Sequence, residues 1–227
     1  QSLSWGHYPY SPQNTHRVNW PDEVSHVWND ILSENDTALP FGNGRSYGDS
    51  CLATSFNVIQ SINLNKFIEA DWEKGIIKVE AGLTLQGILA VTIPYGWFLS
   101  VTPGTQFVTV GGAIANDVHG KNHHVRGTFG NHVRSLNLLR SEEGELVCSS
   151  CQNEGLFSAT IGGLGLTGFI TQAEIQLIPI KSSEIISTVV RFNNLTEFFE
   201  LSNELDAQHE YSVAWIDCLA KGNSIGR

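Results

Sequence analysis

The sequence predicts an α+β fold with one large domain over residues 1–178, made of two subdomains at about 10–95 and 96–178, and the beginning of a second domain over residues 179–227. Three observations predict this. The 227 residues exceed the roughly 150 of an average domain. Strand and helix patterns alternate early in the chain, whereas a hairpin and a long alternating strand follow. After Pro179 the chain is too short for a core of its own.

The first helix is predicted from Pro21 onward, because proline suits the first helical turn. The apolar residues that follow recur at helical spacing: Val24, Val27, Trp28, Ile31 and Leu32. The pattern predicts an amphipathic helix with Trp28 on its buried face.

Three β-type runs are expected next, at residues 38–41, 57–62 and 75–81. In the third, apolar and charged residues alternate strictly, as in a strand with one buried face. Thr84 can cap a helix that ends near Ile93, where proline and glycine follow.

The second half of the large domain is expected to be loop-rich over residues 103–130. A hairpin is then predicted between residues 133–140 and 145–149, around Glu143-Gly144. Another strand alternates up to Pro179. Beyond it we expect a strand, a helix and a strand, at residues 185–192, 195–207 and 211–217.

The charge balance restricts the partners. Thirteen Lys and Arg against 23 Asp and Glu give a net charge of −10, which argues against nucleic acid or an anionic membrane surface as the main partner. No apolar run approaches the roughly 18 residues of a transmembrane helix, and no signal sequence opens the chain. These observations predict a cytoplasmic protein without a transmembrane segment, in which any anionic ligand is bound locally.

Glycine-rich loops supply such a binding device at residues 42–49, 103–114 and 162–168. Glycines allow left-handed backbone angles, so successive N–H groups can converge on phosphate oxygens. One such loop usually only connects strands, but three in one domain indicate a ligand. The chain has no P-loop motif, and the Gly-x-Gly-x-x-Gly spacing at residues 163–168 precedes a strand where NAD-binding units have a helix.

Histidines and cysteines leave a rival hypothesis open. His119, His123 and His124 lie close together, but the intervening Gly120 and Asn122 disfavour the helix that zinc sites often use, so we predict no metal site. The four cysteines, Cys51, Cys148, Cys151 and Cys218, are expected to be free thiols. The rival is a non-enzymatic metal-binding or nucleotide-binding module.

Five strings of the sequence carry a family resemblance: Gly-Arg-Ser-Tyr-Gly-Asp at 44–49, Pro-Gly-Thr at 103–105, Val-Gly-Gly-Ala-Ile at 110–114, His-Gly-Lys-Asn-His-His at 119–124 and Phe-Gly-Asn-His-Val-Arg-Ser at 129–135. They resemble the FAD-binding flavoproteins of the vanillyl-alcohol-oxidase (PCMH) type. Within that superfamily the chain is most similar to the flavin subunits of decaprenylphosphoryl-β-D-ribose 2′-epimerases, from Trp5 to Arg227.

The resemblance implies a two-subdomain FAD-binding domain followed by the start of an α+β substrate domain. The residues that match the family's cofactor contacts are Gly42, Asn43, Gly44, Arg45, Ser46, Tyr47, Gly48, Gly104, Thr105, Thr109, Val110, Gly111, Gly112, Asn116, His119 and Ile170. Sugar-lactone oxidases of the superfamily carry, at the position of Arg45, a histidine bonded covalently to the flavin. Arginine cannot form that bond, so FAD is expected to be non-covalent. Asn116 departs from the cysteine of the closest family.

The implied activity is oxidation of a secondary alcohol of a sugar by hydride transfer to flavin. The implied substrate is a polyprenyl-phosphate-linked pentose, a cell-wall polysaccharide precursor, in the first step of a 2′-epimerisation. His119 and Lys121 are the catalytic candidates, and Lys121 and Trp215 the substrate contacts. A sugar 1,4-lactone oxidase is the alternative within the class. A short-chain reductase is the implied partner, and a lipid-linked substrate would need only peripheral contact with the inner face of the membrane.

Overall fold

A computed structural model describes residues 3–34, 36–220, 222 and 225–227. Its helices are α1 (Pro21–Ser33), α2 (Leu85–Thr92), α3 (Val110–Ala115), α4 (His123–Arg126), α5 (Glu154–Thr160) and α6 (Leu195–Leu205), with 3₁₀ turns at Ile93–Tyr95 and Phe129–His132. Its strands are β1 (Asn14–Arg17), β2 (Leu39–Phe41), β3 (Asn57–Gln60), β4 (Phe67–Asp71), β5 (Ile76–Glu80), β6 (Trp97–Leu99), β7 (Val133–Arg140), β8 (Gly144–Ser149) and β9 (Phe169–Pro179).

The strands form two sheets of different kinds. The small sheet is parallel, with strand order β1-β3-β2. The large sheet is antiparallel, with strand order β4-β5-β9-β7-β8, and β6 also pairs with the end of β9. Strand β9 therefore joins three other strands and is the centre of the large sheet.

Each sheet has its own core. The larger core lies under the large sheet, where α2 and α3 contribute fully buried Leu85, Ile88 and Ile114. The smaller core is formed by α1 and the small sheet, and it includes Leu139 and Phe169 from the large sheet. Because these two residues belong to β7 and β9, they join the two layers.

Most of the long elements agree with the sequence prediction. Helix α1 begins at Pro21, Thr84 caps α2 by accepting a hydrogen bond from Gly87 N at 3.2 Å, and β7 and β8 form the expected hairpin. Residues 103–130 are loop-rich, as expected, but they also contain two short helices that were not predicted, α3 and α4. Helix α3 was missed because its glycines have low helix propensity.

The division between sheets differs from the predicted division at residue 95. Strands β4 and β5, with α2, belong to the large sheet, so the small-sheet layer ends near Gln60. Alternation in the sequence shows which face of a strand is buried but not which strand it pairs with, and β5 pairs with the distant β9.

The segment after Pro179 has less regular structure than expected. The predicted strands at 185–192 and 211–217 are wrong, because within the described residues they form only isolated bridges at Phe192 and Ile216, both to Gly226. Ile186 is 97% exposed. Residues 185–192 have the apolar pattern of a strand, but no strand in the described part of the chain pairs with them. The predicted helix is confirmed as α6.

Candidate cofactor site

A cavity of about 540 Å³ lies where the three glycine loops meet. Its walls come from the loop after β2, from α3 and the segment that leads into it, and from the loop between α5 and β9. The volume falls within the roughly 300–1,000 Å³ typical of ligand pockets. The three loops, distant in sequence, therefore build one site.

The first loop presents an array of free backbone donors. Gly44 has a left-handed φ of +59°, which glycine adopts without strain. Within the part of the chain that the structure describes, the N–H groups of residues 42–47 donate to no protein acceptor. Consecutive unpaired N–H groups beside a cavity are suited to phosphate oxygens.

Thr109 is the point at which the first two loops meet. Its side chain caps α3 by accepting a hydrogen bond from Gly112 N at 3.3 Å. A Cβ atom on Gly42 would lie 2.3 Å from Thr109 Oγ1, so only glycine fits there. The Asn43 side chain also donates to Phe107 O at 2.8 Å, which ties the two loops together.

The third loop is attached to α3. The N–H groups of Gly162 and Leu164 donate to Ile114 O at 3.0 Å and Ala115 O at 2.8 Å. Leu164 has a left-handed φ of +53°, an unfavourable conformation for a bulky residue, and it lines the cavity. Strain of this kind at a cavity wall is typical of binding sites.

Two groups give the cavity its chemical character. Among the described residues that line it, Arg45 is the only one with a charged side chain. Cys51 also lines the cavity, and burial raises the pKa of its thiol, with Asp49 adding to the effect. The thiol is therefore neutral at physiological pH, and Arg45 makes the cavity positive within an acidic protein.

Almost all of the cofactor residues predicted from the sequence line this one cavity. They are Gly42, Asn43, Gly44, Arg45, Ser46, Tyr47, Gly104, Thr105, Thr109, Gly111, Gly112, Asn116 and Ile170. The exceptions are Gly48, Val110 and His119. Val110 is fully buried in the core, and its N–H donates to Leu83 O at 2.9 Å.

Other lining residues were missed by the sequence reasoning. Gly165 and Gly168 could have been included, because their loop had been recognised. Trp5, Phe41 and Phe169 carry no such signal, since a lone aromatic residue in a sequence is indistinguishable from a core residue.

The loop that carries His119 and Lys121 lies beside the cavity. Val118, just before it, lines the cavity, whereas His119 and Lys121 are exposed. A Cβ atom on Gly120 would lie 2.6 Å from Thr102 O, so the loop packs closely against the segment that leads into the second glycine loop. Ser212 N donates to Lys121 O at 3.0 Å. The segment after α6 thus contacts the loop directly.

A polar cluster fixes this contact. Glu210 accepts two hydrogen bonds from Arg126, at 2.8 and 3.0 Å, and one from the fully buried Asn122 at 3.1 Å. The hydrogen bonds between Arg126 and Glu210 favour the charged form of both side chains. They therefore lower the pKa of Glu210 and raise the pKa of Arg126. Burial raises the pKa of the neighbouring Tyr211. The paired charges anchor the chain after α6 to the His119 loop.

Trp215 lies elsewhere. It is 74% exposed and lines a separate cleft of about 300 Å³ with Arg191 and Asp217. The two cavities share no lining residue. The structure therefore does not bring Trp215 together with the cofactor residues.

In the described part of the chain, the histidines and cysteines are not grouped as metal ligands. The rings of His119 and His123 lie 5.8 Å apart. Among the described residues, no group of three or more His, Cys, Asp or Glu side chains is arranged to hold a metal ion. All four cysteines are free thiols.

Comparison with known proteins identifies the ligand class. A family model described as an FAD binding domain matches residues 12–150, more than half of the chain. The chain belongs to this FAD-binding family. FAD fits the cavity, because within the described residues the N–H groups of residues 42–47 have no acceptor and suit phosphate oxygens, and the buried Arg45 Nε has no acceptor either.

Several relatives of this FAD-binding chain are named oxidases or reductases. It is 40% identical to decaprenylphosphoryl-β-D-ribose oxidase of Mycolicibacterium smegmatis over 82% of this chain and 41% of the relative. It is 29% identical to mouse L-gulonolactone oxidase over 76% of this chain and 39% of the relative. It is 32% identical to human Δ(24)-sterol reductase over 53% of this chain and 23% of the relative. The chain thus spans less than half of each relative.

In the described residues, no helix is both long and apolar enough to cross a membrane.

Proposed function

We propose that this chain is the FAD-binding part of an oxidoreductase that oxidises a secondary alcohol of a sugar-type substrate, a polyprenyl-phosphate-linked pentose. The observation that carries this proposal is the 40% identity, over 82% of the chain, to an oxidase whose name specifies decaprenylphosphoryl ribose. Residues 1–178 form the FAD-binding domain in this proposal, and residues 179–227 begin the substrate domain.

The chemistry that FAD supplies when bound is acceptance of a hydride from the alcohol carbon. The glycine loops would hold its diphosphate, and Asn116 and the backbone of Ile170, which line the cavity, would contact its ring. His119 takes up the hydroxyl proton, and Lys121 binds the substrate phosphate. Their exposure beside the cavity supports these roles, since a group that meets substrate must be accessible.

We further propose that FAD is bound non-covalently and that all sixteen cofactor residues predicted from the sequence, including Gly48, Val110 and His119, belong to the binding region. Arg45 lines the cavity, and its guanidinium stays protonated in proteins. It therefore has no free lone pair with which to form a covalent bond to the flavin. Acid precipitation of the yellow protein should release all of the flavin as FAD. Flavin that stays on the pellet would contradict non-covalent binding.

A sugar 1,4-lactone oxidase is the second candidate, supported by the 29% identity to L-gulonolactone oxidase over 76% of the chain. If the leading proposal holds, the keto-sugar product requires a separate reductase, which we propose to be a short-chain reductase partner. A lipid-linked substrate would bring this otherwise cytoplasmic protein to the inner face of the membrane.

The two candidates are separated by substrate. The complete protein that carries this chain is loaded with FAD and given a polyprenyl-phosphate-linked ribose or L-gulono-1,4-lactone, and FAD reduction is followed at about 450 nm under anaerobic conditions. Reduction by the lipid-linked ribose alone supports the leading proposal. Reduction by the lactone alone supports the second candidate, and reduction by neither contradicts both.

A further inference from the structure

Helix α3 ends in a Schellman motif that has aspartate at the position where glycine is usual. Val118 N donates to Ala113 O at 3.1 Å, and Asp117 N donates to Ile114 O at 3.0 Å, the two hydrogen bonds that define this helix ending. The motif requires one residue with a left-handed backbone, and Asp117 fills it with a φ of +42°. Because glycine adopts this conformation with less strain, what Asp117 adds to the motif is its carboxylate.

The carboxylate of Asp117 closes the His119 loop, which we define as residues 118–130. Asp117 Oδ1 accepts a hydrogen bond from Gly130 N at 2.8 Å. Next to it, Phe129 N donates to Val118 O at 2.8 Å. These contacts join the chain where it enters the loop to the chain where it leaves the loop.

The base of the His119 loop also packs against the third glycine loop. A Cβ atom on Gly130 would lie 2.3 Å from Ile161 Cγ2 and 2.8 Å from Asp117 Oδ1, so a side chain there would push these groups apart. A Cβ atom on Gly162 would lie 3.5 Å from Asp117 Cβ, an ordinary contact distance. Asp117 therefore lies where α3, the His119 loop and the third glycine loop meet.

The residues on either side of Asp117 belong to the cofactor site. Asn116 and Val118 both line the cavity. His119 follows, exposed beside the cavity, and forms an isolated bridge with Thr128. The backbone position of His119 therefore depends on how the two ends of the loop meet.

We infer that Asp117 is a positioning residue, which places His119 beside the cofactor cavity by closing the His119 loop. The inference rests on the proposed function, in which His119 takes up the hydroxyl proton. A general base must lie within hydrogen-bond reach of that proton, so a loop that opens at its base should slow the reaction. Asp117 is not among the described residues that line the cavity, so it acts through the loop.

The first test is amide hydrogen exchange, followed by mass spectrometry on the complete protein that carries this chain, loaded with FAD. Asp117→Gly keeps the left-handed backbone but removes the acceptor. Loss of a hydrogen bond to a charged group should make residues 118–130 exchange about 10- to 100-fold faster. Asp117→Asn tolerates the same backbone and keeps an acceptor oxygen, so its exchange should stay within about threefold of the wild type.

The second test is the rate of FAD reduction by the polyprenyl-phosphate-linked ribose, at saturating substrate. Misplacement of His119 should make Asp117→Gly about 10- to 100-fold slower than the wild type, and Asp117→Asn should recover most of the rate. FAD affinity should change less than about threefold, because Asp117 does not line the cavity. Since Asp117 acts through His119, adding Asp117→Gly to His119→Gln should slow that variant less than about twofold.

The chain offers a matched control in Asn153. It too has a left-handed backbone, with a φ of +51°, and its side chain donates to Val147 O at 2.8 Å. It is not among the described residues that line the cavity. Asn153→Gly removes the same kind of contact and should change neither the exchange of residues 118–130 nor the reduction rate.

The inference is overturned if residues 118–130 exchange at the wild-type rate in Asp117→Gly, or if Asn153→Gly slows reduction as much as Asp117→Gly does. It is also overturned if Asp117→Gly slows the His119→Gln variant as much as it slows the wild type. Failure of the proposed function gives a different result. His119→Gln would then reduce FAD at the wild-type rate, which contradicts the proton transfer, while faster exchange in Asp117→Gly would still show that Asp117 closes the loop.

Discussion

Gly42 shows how one missing side chain can open a site. The Cβ of an alanine there would lie 2.3 Å from Thr109 Oγ1, closer than non-bonded atoms approach. Because Thr109 also caps α3, the side chain cannot move away without losing its hydrogen bond. The first two glycine loops must then separate.

Gly42→Ala should therefore weaken FAD binding at least about tenfold, a loss of about 1.4 kcal/mol. The measurement is a fluorescence titration with FAD. Gly155→Ala is the control, since its Cβ would meet nothing within 4 Å and its position lies in α5. Equal affinities for the two variants would show that the close approach at Gly42 does not shape the site.

The sequence predicted these loop residues because glycine at close spacing is a local signal. Trp5 carries no such local signal, because the cavity residue that its ring contacts, Arg45, lies forty positions further along the chain. Val110 is the opposite case: it adjoins Gly111 in the motif, yet its side chain is fully buried in the core. Motifs locate a site, but only packing shows which neighbours face it.

The N-terminal cap of α2 makes a testable contribution to the stability of the fold. Thr84 Oγ1 accepts a hydrogen bond from Gly87 N at 3.2 Å at the start of α2, whose Leu85 and Ile88 are buried in the larger core. Thr84→Ala should lower the free energy of unfolding by about 1 kcal/mol in urea denaturation. Thr84→Ser keeps the acceptor and should retain most of that stability; if serine loses as much as alanine, the cap is not the cause.

The Arg126–Glu210 pair joins two elements and makes their contact depend on pH. Its hydrogen bonds lower the pKa of folded Glu210 below the ordinary value of 4.5. The pair therefore stabilises the fold fully above that value, and the stabilisation disappears as pH falls through the lowered pKa. Both side chains are about one-third exposed, at 35% and 32%, so solvent screening keeps the effect modest.

Glu210→Gln should consequently lower the melting temperature by about 2–4 °C at pH 7, corresponding to about 1 kcal/mol, and by progressively less in acid. Melting curves from pH 3 to pH 8 measure this. Glu184→Gln, an exposed carboxylate change after β9, is the control. A difference from wild type that is constant across the pH range would exclude the ion pair as its source.

A helix or strand could be predicted from the sequence where one of its faces is buried by residues close to it in the chain. Helix α1 and the β7–β8 hairpin are of this kind. Strands β1 and β4 were missed because each is short and most of its residues are polar or exposed. The apolar run at 185–192 has the composition of a strand, but strand formation also requires a partner that the described residues do not supply.

For the whole molecule, the proposed boundary near Pro179 predicts where a protease cuts first. Residues 181–189 are exposed and belong to neither of the described sheets, whereas β9 just before them is the centre of the large sheet. Brief digestion with trypsin should cleave after Lys181 and Arg191 and leave a fragment that ends there. Mass spectrometry identifies the cuts. Earlier cleavage within residues 76–179 would contradict the proposed domain boundary.

The position of β9 also determines when the protein can fold during its synthesis. Its neighbours β5 and β7 are translated first, yet each meets β9 only after residues 169–179 have left the ribosome. Until then both strands have an edge without a partner, and such edges promote aggregation. The large sheet, and the cavity wall at Ile170 that depends on it, can therefore be completed only after residue 179 has been synthesised.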